Sequence, residues 1–67
     1  MSVAKVIELS ASSPNGVEDA VKRGLAKAGE SVKGIQGAWV SEIKAICGDG
    51  GDITEWRVNL RVTFVVE

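Results

Sequence analysis

Ile53-Thr-Glu-Trp-Arg-Val-Asn-Leu-Arg-Val-Thr-Phe-Val-Val-Glu67 is the stretch on which the fold turns. Its even positions, Trp56, Val58, Leu60, Val62, Phe64 and Val66, are apolar. Its odd positions, Glu55, Arg57, Asn59, Arg61 and Thr63, are polar. A period of two sends successive side chains to opposite faces, so the stretch predicts a β-strand with one buried face. Roughly 15 residues at ~3.3 Å each span about 50 Å, well beyond the usual strand of about 5–6 residues. So long an apolar face needs cover along its whole length.

The chain offers little cover. It has 67 residues, which predicts one domain over residues 1–67. Its 45% apolar content suits a globular fold. Chains this short bury only ~60% of their unfolded surface, and the smallest domains add disulfides, metals or partner subunits. Cys47 is the single cysteine and there is no histidine, which excludes an internal disulfide and a zinc site of the usual kind. Oligomerisation is the remaining route, so a self-associating protein is expected.

A net charge of −1 supplies no broad basic field, which argues against nucleic-acid binding. No stretch is long and apolar enough to cross a bilayer, so no membrane partner is expected. Lys5 and Glu8 interrupt the first apolar run, unlike the core of a signal peptide. With a lone thiol, this predicts the cytoplasm.

Residues 3–10 predict a short strand rich in Val6, Ile7 and Leu9. A turn follows, with Ser13 expected as the helix N-cap and Pro14 as the first helical residue. The helix is expected over 14–32. Val17, Ala20, Val21, Gly24, Leu25 and Ala28 form one stripe, small enough at Ala20, Gly24 and Ala28 to sit close to a sheet. Glu18–Lys22 and Asp19–Arg23 are favourable pairs on the opposite side. Gly34 is a candidate C-cap. Residues 35–46 predict a second strand, with Ala38 and Val40 on one face and Gly37, Trp39, Ser41 and Ile43 on the other. The Gly-rich turn 47–52 joins it to the third strand as an antiparallel hairpin. The order is β-α-β-β. At about 28 Å the helix is shorter than the hairpin, so the end carrying Phe64 and Val66 is expected to be covered by another subunit.

Catalytic groupings are missing, and no enzyme is expected. There is no histidine to activate a serine or cysteine, and Cys47 has an acid, Asp49, rather than a base nearby. Asp49 and Asp52 do not match a calcium loop. Ser12-Ser-Pro-Asn-Gly16 lacks the lysine of a phosphate loop. Arg57, Arg61 and Trp39 project from the face away from the helix, with Arg57 expected beside Gly37 and Trp39. An indole near a guanidinium can hold a flat or anionic ligand, or anchor a subunit interface.

Lys5-Val-Ile-Glu-Leu9, Ser12-Ser-Pro-Asn-Gly16 and Arg57-Val-Asn-Leu-Arg-Val-Thr-Phe64, in that order over nearly the whole chain, resemble the dodecin family. The resemblance implies an α+β fold, a three-stranded antiparallel sheet wrapped around one helix, and a hollow homododecamer that completes the sheet. It also implies a flavin (FMN or riboflavin) at twofold axes, stacked on a tryptophan early in strand two and bonded by a glutamine early in strand three. Those positions here are Gly37 and Arg57. Trp39 lies two residues on, one pleat period along the same face and about 6.6 Å away. It is placed either to stack on a shifted ligand or to fill the pocket. In this the chain resembles family variants without the aromatic pair. Gly37, Trp39 and Arg57 are the candidate ligand residues. The expected function is non-catalytic ligand binding or storage, and the alternative is a shell that holds ions or another small anion and no flavin.

Overall fold

The computed structural model describes residues 3–66. Strand β1 (Val3–Ser13) leads to helix α1 (Val17–Gly29), then β2 (Ile35–Cys47) and β3 (Ile53–Val66). The three strands form one antiparallel sheet in the order β1-β3-β2. The long alternating strand is thus central, paired on both sides, and α1 lies across one sheet face. The predicted β-α-β-β order and sheet are what the protein adopts; Glu67, expected at the end of β3, lies outside the described residues.

The inner face of β3 forms the core. Val58, Leu60 and Val62 are fully buried, together with Ala20 and Ala28 of α1. Ile7, Leu9, Ala11, Val17, Val21, Leu25, Ile35 and Ala38 pack around them. Gly24 sets the helix–sheet spacing. A Cβ built there would stand 2.8 Å from Leu60 Cδ1, 3.0 Å from Ala11 Cβ and 3.1 Å from Leu9 Cδ1. The small stripe read from the sequence is therefore the contact face, and Glu18–Lys22 (3.3 Å) and Asp19–Arg23 (2.7 Å) pair on the solvent side.

The helix differs from expectation at both ends. β1 continues to Ser13, which pairs with Trp56. Pro14 disfavours a helical Ser13, so the chain stays extended there. The helix begins at Val17, with Gly16 as N-cap at φ 129°. Ser13 caps nothing directly. Its hydroxyl oxygen accepts the Asn15 N–H at 3.0 Å and its O–H donates to Asp19 Oδ2 at 2.5 Å. At the far end α1 stops at Gly29, and the Ser31 and Val32 N–H groups both donate to the Ala28 carbonyl at 3.0 Å. Gly34 lies beyond the helix and is not its C-cap. At φ 78° its carbonyl turns to accept the Val65 N–H at 3.0 Å.

β2 carries a second correction. Gly37 and Trp39 share the outer face, and Ala38 and Val40 the inner one, as the alternation predicts. Ser41 then forms a bulge, an extra residue that resets the period. Ile43 consequently faces inward, opposite Val58.

The protein measures 52 Å in its longest dimension, and the 13 residues of α1 cover about 20 Å of that. Uncovered apolar residues occur at both ends, Val3 and Val66 at one and Ile43 and Ile53 toward the turn. The mismatch of helix and hairpin lengths predicts an uncovered end at Val66; α1, shorter than predicted, stops short of both ends and leaves the turn end open as well.

Candidate functional site

The outer face is an ordered grid, because β1 and β2 both pair with β3 in register. Nearest the turn, Ser12, Arg57 and Lys44 lie side by side. Ser10, Asn59 and Glu42 come next, then Glu8, Arg61 and Trp39, and then Val6, Thr63 and Gly37. The second of these rows is internally satisfied. Asn59 Nδ2 donates to Glu42 Oε1 at 2.6 Å, and Ser10 Oγ donates to Asn59 Oδ1 at 2.6 Å. This hydrogen-bonded band separates two chemically different regions.

The first region holds Arg57 opposite Lys44. Like charges directly across a sheet repel. Neither makes an ion pair among the described residues, where all the ion pairs lie along the helix and its C-terminus. A depression of about 320 Å³ opens here, lined by Glu42, Ile43, Lys44, Arg57 and Asn59.

The second region is built on Trp39, 59% exposed. Arg61, its cross-strand partner, holds its guanidinium carbon 5.5 Å from the indole centroid. Such an exposed cation–π contact is worth about 0.5–1 kcal/mol. Hydrogen bonds from a guanidinium to an anion are worth roughly 1.5–3 kcal/mol. An incoming anion can therefore draw Arg61 off the ring. Beside the indole a depression of about 340 Å³ is lined by Gln36, Gly37, Ala38, Trp39 and Thr63. A Cβ added at Gly37 would meet nothing within 4 Å, so this position is open space beside the ring.

The structure thus brings Gly37 and Trp39 together, but Arg57 does not lie beside them. Gly37 faces Thr63 and Arg57 faces Lys44, so Gly37 and Arg57 are separated by six residues of β3, about 20 Å. The residues next to Trp39 are Arg61 and Thr63. Their place was open to a simple count back from the turn. A bulge at Thr54 in β3 and the one at Ser41 in β2 cancel, so unbroken pairing from Cys47–Ile53 also sets Trp39 against Arg61.

No histidine, cysteine or acid grouping of three or more that would hold a metal occurs among the described residues. Asp52 serves the turn, its carbonyl accepting the Gly48 N–H at 2.8 Å. Among the described residues no helix is long and apolar enough to cross a membrane.

The dodecin sequence family matches residues 3–67. No curated protein matches the chain. Among solved structures, the chain is similar to an arginine-to-alanine variant of the Thermus thermophilus dodecin, at 33% identity and a TM-score of 0.91, covering 100% of this chain and 98% of that one. It is similar also to the dodecin of Streptomyces davaonensis, at 26% identity and a TM-score of 0.90 over 98% of this chain and 96% of that one. The dodecin of Streptomyces coelicolor gives 26% and 0.91 over 98% and 93%. With the family matched over nearly every residue and the β-α-β-β arrangement shared throughout, the chain belongs to the dodecin family.

Proposed function

We propose that this protein is a non-catalytic, cytoplasmic homododecamer that binds or stores a flavin, FMN or riboflavin, at its subunit interfaces. Dodecins are in general small-ligand, flavin-binding proteins, and membership supports the ligand class. The observation that carries the reading is the exposed indole of Trp39 beside the empty space at Gly37. A flat ring gains stacking area on the one and meets no side chain at the other. Arg61, Arg57 and Lys44 supply donors for ring acceptors or an acidic tail. The residues present therefore suit a flavin, although Gly37 and Arg57 replace the family's tryptophan and glutamine.

The spacing supports an interfacial site. With Gly37 and Arg57 about 20 Å apart along β3, one ring cannot touch both within a protomer. A ligand that uses both lies between two copies, one offering the Trp39 end and the other the Arg57 end.

Titration of riboflavin and of FMN with the protein should quench flavin emission. Trp39→Ala should weaken that binding while sedimentation shows the assembly intact. Unchanged emission at tens of micromolar flavin would sink the flavin reading. Loss of assembly in Trp39→Ala would make the indole an interface anchor instead. The second reading, a shell that holds ions or another small anion and no flavin, is favoured by the unpaired Arg57–Lys44 couple. Unchanged flavin emission together with saturable phosphate binding would establish it.

A further inference from the structure

We infer that Arg61 is the specificity-determining residue of the Trp39 site and selects flat ligands that carry an anionic group over neutral ones. The inference rests on the flavin reading above and deepens it. Three observations carry it. Arg61 is the cross-strand neighbour of Trp39, and its guanidinium already stands over the indole at 5.5 Å. It has no acid to hold it. Glu8 is its partner on β1, yet the two form no ion pair among the described residues, and Glu42, the acid on the strand beyond, is taken by Asn59. It is exposed, so the side chain is free to move.

The selectivity follows from what each ligand does to that cation. A neutral ring competing for the indole face displaces the guanidinium and returns nothing to it. A ring with an acidic tail displaces it too, but replaces the cation–π contact with charge-assisted hydrogen bonds in the bidentate geometry that guanidinium suits. Arg61 thus acts against the first ligand and for the second. Within one protomer Arg57 and Lys44 lie on the far side of the Ser10–Asn59–Glu42 band, so Arg61 alone competes for the Trp39 ring.

Riboflavin and FMN differ only by the phosphate and make the test direct. Flavin-emission titrations of the assembled protein at low salt should give FMN an affinity about tenfold or more above that of riboflavin, the size expected for one charge-assisted contact. Moderate salt should narrow the gap. Arg61→Gln should bring FMN down to the level of riboflavin while riboflavin binds as well as before or better. Arg61→Lys, which keeps the charge without the fork, should leave an intermediate gap and serves if Arg61→Gln fails to assemble. Lys22→Gln, which removes one positive charge from the solvent side of the helix, should leave the gap unchanged. Equal affinities in the parent protein would overturn the inference and leave the flavin reading standing. So would a gap that survives Arg61→Gln, or one lost only in Arg57→Gln. Absence of binding by either flavin would overturn both.

Discussion

Asp19 receives the Ser13 hydroxyl at 2.5 Å and the Arg23 guanidinium at 2.7 Å, tying the end of β1 to the first turn of α1. The Ser13 hydrogen bond holds the Asp19 carboxyl below its usual range; partial desolvation opposes this and the Arg23 charge reinforces it. A carboxyl whose folded pKa is depressed contributes stability above its unfolded pKa, and that contribution is lost as pH falls through the folded value. Asp19→Asn should therefore lower the urea midpoint at pH 7 and lower it less at pH 3, where the contribution has begun to fall away below the usual aspartate value of about 4. An equal loss at both pH values would show that the latch acts by shape rather than charge. Ser13 also marks a limit of sequence reading at this scale. A serine before proline reads as an N-cap, but its pairing with Trp56 keeps it in the sheet, and its hydroxyl serves a carboxylate instead of a helix N–H. The propensity was right about a polar link at the helix start and wrong about the partner.

Helix α1 meets the sheet through Gly24, and here two effects of opposite sign compete. Alanine favours a helix over glycine by about 1 kcal/mol. Overpacking a closed contact costs typically 1–3 kcal/mol. The added Cβ would press on Leu60, which is fully buried, and on the Cβ of Ala11, which has no rotamer to yield. Packing should win. Gly24→Ala should destabilise the fold by about 1 kcal/mol in urea titrations, and a stabilised variant would mean that the helix can slide. Legibility at this scale followed periodicity. β3 could be read residue by residue because no bulge interrupts its alternation from Trp56 to Phe64 on the side paired with β1. β2 could be read only as far as Ser41, where an extra residue exchanges the faces without changing composition. Nothing in the local sequence announces that bulge. It is fixed by the pairing with β3, and the same pairing, not proximity in sequence, sets Arg61 beside Trp39 and leaves Arg57 to Lys44.

The whole protomer joins a 52 Å sheet to a helix that covers about 20 Å of it. Among the described residues only Ala20, Ala28, Val58, Leu60 and Val62 are buried apolar residues, while Val3, Val6, Trp39, Val40, Ile43, Ile53 and Val66 are exposed. Among the described residues seven large apolar side chains thus meet water against three that are fully buried, and the seven occur at both ends of the sheet and on both of its faces. Short length and the absence of disulfide or zinc chemistry pointed the same way in the sequence, but the distribution of exposure did not, because it depends on where a short helix rests on a long strand. If association supplies the missing burial, folding and assembly are one equilibrium, and stability becomes a function of protein concentration. Dilution should lower the thermal midpoint, and sedimentation should show assembled and unfolded protein with no folded monomer between them. Replacing Ile43 with glutamate places a charge on an inward-facing residue at the uncovered turn end. A partner subunit that covers this end would make that charge costly to bury, so the variant should lose assembly and folding together. A folded, monodisperse monomer, in the parent protein or in Ile43→Glu, would mean that the small core suffices alone and that the exposed residues have another use.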